Sequence, residues 1–230
     1  VFFSKYFLFC KEAIKDSQKY VPEFLEDIIE KNLNCIHYIK TPDDRLPLFN
    51  GATSFKLSQI KKYLDDYKPN NKNGNLGGLF KIKHKNHFLL IDVGNPPQKK
   101  FSKSYQSGPL SFEYFLDGIK IITNSGFGNN ISKKAELISR LTACQSTLTI
   151  NDTSITRFER NELISKVFGN SIQNSFKSFD FSSINENGLM GCFASNNGYE
   201  KTFGCTHKRE IYLDRENNHL KGIDHIFKAK

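Results

Sequence analysis

Apolar residues recur at helical spacing early in the chain and at alternate positions later. Phe2, Phe3, Tyr6, Phe7, Phe9, Cys10 and Ala13 fall near the α-helical period. Pro22 fits a first helical turn, and Phe24, Leu25, Ile28, Ile29 and Leu33 form an amphipathic stripe behind it. These runs predict an α-hairpin, and Ser58–Tyr67 predicts a third helix after the loop Thr41–Ser54. The polar run Pro69–Gly78 (PNNKNGNLGG) then breaks the pattern.

Beyond that run the period becomes that of strands. Leu79–Lys83 and His87–Val93 predict a hairpin turning at Lys85-Asn86. A polar loop, Gly94–Ser107, follows. Leu110, Phe112, Tyr114 and Leu116 then alternate with Ser111, Glu113 and Phe115, the mark of a half-buried antiparallel strand. Asp117-Gly118 turns this strand into Ile119–Thr123. Further strands are predicted at Thr147–Ile150, Leu189–Ala194, Tyr199–Thr206, Glu210–Asp214 and Leu220–Phe227, whereas Arg157–Phe181 carries no clear period. The organisation expected is α+β: helices over residues 1–70, a connector at 71–78 and an antiparallel β-sandwich over 79–230.

Composition narrows the classes. A chain of 230 residues can bury one sizeable core or two small ones, and 38% hydrophobic with 25% charged residues is ordinary for a globular protein. The net charge of +9 favours an anionic partner. The lysines are scattered and accompany no helix-turn-helix, zinc-finger or RNA-recognition pattern, so nucleic acid is not the expected partner. Five widely spaced cysteines without a CxxC pair argue against a disulfide framework and a structural zinc site. No apolar run approaches the roughly 20 residues a membrane span needs. Opening on Val1 and ending at Lys230 inside a strand-like pattern, the chain is expected to be a fragment cut at both ends.

Three blocks stand in order along the strand region. They are Gln106-Ser107-Gly108-Pro109-Leu110-Ser111-Phe112-Glu113, Thr123-Asn124-Ser125-Gly126, and Arg140-Leu141-Thr142-Ala143-Cys144-Gln145-Ser146-Thr147. Together they resemble the C-terminal β-domain of the heparinase II/III-like polysaccharide lyases. The segment Asp43–Ala52 resembles the end of that family's (α/α) toroid. Asn197-Gly198-Tyr199, His207-Lys208-Arg209 and Gly222-Ile223-Asp224 resemble further landmarks. Two positions depart from the pattern: the family has histidines where this chain has Gln106 and Gln145.

The resemblance implies helical hairpins from an (α/α) toroid followed by an antiparallel β-sandwich. It also implies a periplasmic or secreted enzyme that cleaves a uronic-acid-containing polysaccharide by β-elimination, with that acidic polysaccharide as partner. Such chemistry needs donors or a cation for the uronate carboxylate, a base for the acidified proton and an acid for the leaving oxygen. In the family a Tyr and a His or Asn on toroid helices supply much of it, and a β-domain histidine closes over the substrate. The matching position here is Gln106, which cannot act as a base but can hold a carboxylate or a hydroxyl. The alternative is that Gln106 only hydrogen-bonds within its loop–strand junction. Tyr105, beside it, is the other candidate at the catalytic position, with a simple rim residue as its bland reading.

Glu113, Arg140, Gln145 and His207 are the candidate substrate-binding residues. Arg140 either reaches a uronate carboxylate or pairs structurally with Glu113, the latter ranking first. Some family members hold a structural zinc at positions that match Gln106 or Ser107, Asn124 and Gln145. Amides and hydroxyls make a poor zinc site, so no cofactor is expected and a hydrogen-bonded cluster takes the metal's place. The competing function is a non-catalytic carbohydrate-binding or structural relative that has lost the β-domain histidines. The oligomeric state is not legible from these residues.

Overall fold

The computed structural model describes residues 2–66 and 74–229. Helix α1 (Phe2–Asp16) and helix α2 (Glu23–Ile39) form the expected hairpin, with Pro22 as the N-cap of α2. A 3-10 turn at Leu57–Ile60 leads into α3 (Lys61–Asp66), so the predicted third helix is present; its last residue, Tyr67, lies outside the described residues. Leu8, Leu25, Ile29, Leu33, Ile36, Leu57, Ile60 and Leu64 pack against one another. Removing these side chains from water is what holds three short helices together. Phe3, Tyr6, Phe9 and Cys10 of the stripe predicted for α1, and Phe24 and Ile28 of that for α2, stand exposed instead, because α1 turns Leu8 and not these aromatics toward α2.

Two antiparallel sheets follow. The first runs β1 (Gly74–Leu76), β2 (Leu79–His84), β3 (His87–Asp92), β4 (Phe112–Leu116) and β5 (Ile119–Ile122), paired in that order. The second runs β6 (Ser178–Glu186), β7 (Leu189–Asn196), β8 (Cys205–Asp214) and β9 (His219–Lys228), again in order. Phe80, Ile82, Leu89, Ile91, Leu110 and Tyr114 of the first sheet region meet Met190, Cys192, Ala194, Ile211 and Leu213 of the second. The chain is therefore α+β with a C-terminal β-sandwich. The connector expected at 71–78 falls partly outside the described residues, and its remainder begins β1.

Several elements differ from the sequence reading. Leu110 adopts a positive φ of 59° and precedes β4 instead of belonging to it. Strand β4 is buried on both faces, not one. Phe115 packs with Phe88, Leu90 and Phe49, because the loop after α2 covers the face that periodicity assigned to solvent. Thr147–Ile150 is no strand; only Ile150 forms an isolated bridge, to Thr153, and the segment hydrogen-bonds through side chains instead. Tyr199–Thr206 opens with a helical turn, α6 (Glu200–Phe203), before β8 begins. Between these elements lie α4 (Lys133–Ile138) and α5 (Glu162–Phe168), capped by Ser132 and Asn161 side chains. The unassigned run Arg157–Phe181 contains α5 and the start of β6.

Leu90 is 0% exposed at the centre of the first sheet, whereas Ile119 is 65% exposed at its edge. Leu90→Ala should therefore cost about 3 kcal/mol in urea unfolding, and Ile119→Ala less than about 0.5 kcal/mol. Equal losses would contradict this assignment of the core.

Candidate functional site

The six residues singled out by sequence are all buried: Tyr105, Gln106, Glu113, Arg140, Gln145 and His207. Four of them share one neighbourhood, centred on the segment Ser139–Arg140 just after α4. Gln106 Nε2 donates to the Ser139 carbonyl at 3.0 Å, and Gln145 Nε2 donates to the same oxygen at 2.8 Å. The other end of Gln106 is also engaged, since Oε1 accepts from the Gly51 N–H at 3.0 Å. Gln106 thus ties the loop after α2 to the segment after α4.

Arg140 is fully buried and meets no carboxylate among the described residues. Its Nε donates to the Tyr105 carbonyl (2.8 Å), Nη1 to Asn170 O (2.6 Å) and Nη2 to Ser102 O (2.8 Å). Its guanidinium also lies 3.9 Å from the Phe158 ring centre. Burial lowers its pKa to about 10, which leaves it charged at neutral pH. The expected ion pair with Glu113 does not form. Glu113 instead accepts from Thr123 Oγ1 (2.7 Å), the Asn124 N–H (3.4 Å) and Lys120 Nζ (3.5 Å). The reason is geometric: the guanidinium is drawn to backbone oxygens of the Ser102–Gln106 loop, away from β4.

Tyr105 packs into a small apolar cluster with Ile155, Ile172, Phe176 and Tyr199. Burial, with the charge of Asp92 adding to it, holds its hydroxyl well above the usual tyrosine range, so it stays protonated at neutral pH. His207 stands apart, facing inward from β8. Asn196 Oδ1 accepts from Gly198 N–H at 3.1 Å, which orients the amide so that Nδ2 faces His207 Nδ1 at 3.1 Å. The ring therefore carries a proton on Nε2, which meets Asp224 Oδ1 at 2.7 Å. Arg209 binds both oxygens of Asp224 at 2.8 Å. Burial works against ionisation of Asp224, but His207 and Arg209 together hold it well below the usual carboxylate range. Arg209 Nη1 continues to Leu110 O (2.8 Å) and Ser146 O (2.7 Å), bolting the second sheet to the first.

The positions that match a family zinc site form part of this network. Asn124 Oδ1 accepts from the Ser146 N–H at 2.9 Å, leaving its buried Nδ2 without a hydrogen-bond partner. Gln106 and Gln145 spend their NH2 groups on Ser139. Zinc takes thiolate, imidazole or carboxylate, and here it would face a buried NH2 group and an amide oxygen already bonded to Gly51. This donor set does not fit the metal.

Sequence reasoning passed over Asp92 and its partner Asn50. Asp92 ends the fully buried strand β3 and accepts from Asn50 Nδ2 at 2.9 Å and from the Gly94 N–H at 3.0 Å. A carboxylate closing the apolar run Phe88–Ile91 was the available signal. Asn50 and Gly51 both take positive φ (49° and 92°), and a Cβ on Gly51 would stand 2.6 Å from Ser104 Oγ. Only glycine lets the loop approach this closely.

An α-helical hairpin docked on an antiparallel β-sandwich, with a buried polar seam between them, is the class of structure these residues define. The sequence over residues 67–230 matches the family described as heparinase II/III-like, C-terminal, and the chain belongs to that family. No curated protein matches the sequence. Among solved structures, the fold is similar to a heparan sulfate lyase, HepC, from Pedobacter heparinus. The TM-score is 0.67 at 18% identity, over 96% of this chain and 36% of that one. It is also similar to a heparinase III, the BT4657 gene product, with a TM-score of 0.65 at 15% identity, over 91% of this chain and 34% of that one. The chain thus spans about a third of the length of these proteins.

Burial raises the pKa of Asp92 from 3.8 to about 6, against the hydrogen bonds from Asn50 and Gly94. The folded state therefore holds this proton more tightly than the unfolded chain. The resulting stability is full below pH about 4 and is lost as pH rises through about 6. The stability of the wild type relative to Asp92→Asn should fall as pH is raised from about 4 to about 7 in denaturant titrations. A difference that does not change with pH would contradict it.

Proposed function

We propose that this chain is the β-domain and adjoining helical portion of a lyase that cleaves an acidic, uronic-acid-containing polysaccharide by β-elimination. Family membership over residues 67–230 carries the reading. The net charge of +9 agrees with a polyanionic substrate. The similar solved structures include a heparan sulfate lyase, which supports a sulfated or carboxylated glycan as the substrate class. Secretion or a periplasmic location follows from the same reading, because that is where such polymers are met.

In this proposal the described residues position the substrate and do not carry out proton transfer. Tyr105 is buried in an apolar cluster away from solvent, His207 has both ring nitrogens engaged, and Gln106 has no basic atom. Gln106 acts by fixing the Asn50–Gly51 turn, with Arg140 and Gln145 holding the segment on its other side. Glu113 and His207 support the sheets from which those loops project. In this proposal the seam takes no zinc, because its amides do not suit the metal, and metal analysis of the purified protein should find none bound in stoichiometric amount.

One observation favours a second reading, a non-catalytic carbohydrate-binding relative: the amides at both former histidine positions are spent on the protein's own backbone. The full-length protein, offered alginate, heparan sulfate, chondroitin sulfate and glucuronan, separates the two. Elimination leaves an unsaturated uronate whose ultraviolet absorbance rises with turnover. The lyase reading expects a rise on one polymer, and a fall in kcat/KM of about tenfold in Gln106→Ala, the equivalent of one lost hydrogen bond to the loop. Retained binding with no rise on any polymer would replace it with the second reading.

A further inference from the structure

Strand β2 places Phe80 and Ile82 in the sandwich core, so Lys81 and Lys83 point the other way, toward α2. Lys85 continues the alternation in the turn that follows. These lysines line a cleft of about 650 Å3 between the outer face of the first sheet, the end of α2 and the Asp117-Gly118 turn. Such a volume falls within the range of about 300–1,000 Å3 usual for small-ligand sites. It lies at the β2–β3 turn, whereas Asp92 sits at the far end of β3 next to the Asn50–Gly51 turn.

Lys81 is only 4% exposed. Its ammonium sits 4.2 Å from the Tyr38 ring centre, and among the described residues it has no carboxylate within ion-pair distance. Tyr38 is itself pinned, accepting from Lys81 N–H at 3.0 Å and donating to Gly74 O and to Leu79 O (3.2 Å). Two aspartates also line the cleft, but each is already engaged. Asp44 takes Lys40 at 2.7 Å, and Asp117 accepts from Asn86 Nδ2 at 3.0 Å. A buried cation without a counter-charge is costly, and burial, with Lys83 adding repulsion, lowers the Lys81 pKa to about 8. At neutral pH it remains largely charged, in a cavity open to a ligand.

We propose that this cleft is an oxyanion-binding subsite, in which the Lys81 ammonium takes a sulfate or carboxylate group of an acidic glycan and Lys85 closes over it from the mouth. The oxyanion chemistry stands on the cleft itself; only the glycan as its source rests on the lyase reading above. A flexible ammonium suits this task, because a point charge with three donors accepts an anion in many orientations. Tyr38 fixes where that charge sits.

Calorimetric titration of the full-length protein at neutral pH and low salt tests this, with inorganic sulfate and a size-defined heparan sulfate hexasaccharide as probes. Lys81→Gln should weaken both by about tenfold, the worth of one charge-assisted hydrogen bond, and the exposed Lys85→Gln should weaken both by about threefold. Lys133→Gln, on α4 outside the cleft, should stay within about twofold of wild type. Unchanged affinity in both cleft variants overturns the proposal. So does an equal loss in Lys133→Gln, which would reduce the effect to overall charge. Should Lys81→Gln fail to fold, Lys85→Gln decides. Sulfate binding that depends on Lys81, with hexasaccharide binding that does not, overturns the glycan as source. The unsaturated-uronate assay is read separately, so loss of turnover and loss of this subsite are distinguishable.

Discussion

Arg140 carries its charge into a fully buried position and meets three carbonyl oxygens and a phenyl face instead of a carboxylate. Ser102 O also accepts from the Tyr105 N–H at 3.1 Å, whereas the Tyr105 and Asn170 carbonyls lie in irregular segments outside any strand or helix. Removing the guanidinium would take the donor from the buried Tyr105 carbonyl, while Ser102 O would keep its bond from the Tyr105 N–H. A buried polar group without a partner costs about 1–3 kcal/mol. The long connection between β3 and β4 is therefore ordered by a side chain. Gln106, next along that connection, reaches both Gly51 and Ser139.

The same logic extends outward from the arginine. Gln106 and Gln145 converge on one carbonyl, Asn124 and Ser146 link that region to β4, and Arg209 joins Ser146 to the second sheet. Polar networks of this kind are favourable only when nearly complete. This one leaves Asn124 Nδ2 as a buried loose end. The amide of Gln106 thus ties the loop that follows α2 to the segment after α4.

Much of the fold was legible because most elements obey simple periods. The helices α1 and α2 and the hairpin turns at Lys85-Asn86 and Asp117-Gly118 follow directly from spacing and turn residues. The face of α1 does not: its many aromatics sit near helical spacing on several sides, and the structure buries Leu8 while Phe3, Tyr6 and Phe9 stay exposed. Thr147–Ile150 misled because an apolar, β-branched run reads as a strand even where side-chain hydrogen bonds replace the ladder. Glu113 looked solvent-facing because alternation cannot show that a distant loop covers the second face of β4. The motif blocks located the seam, including Gln106, Arg140 and Gln145. Their partners Asn50, Asp92 and Ser139 were missed, since contacts over such sequence separations leave no local pattern. The inward pair His207 and Arg209 fits the strict alternation of β8, yet only the structure shows that they share Asp224.

The central claim is that Gln106 serves as a structural tie across the seam, and the Gly51 amide reports on it most directly. Its exchange with solvent deuterium can be followed in the full-length protein and in Gln106→Ala. The account predicts strong protection of Gly51 in the wild type and its loss in the variant, while amides in the centre of β3 keep theirs. A Gly51 amide that exchanges in the wild type at the rate of an open loop would contradict it.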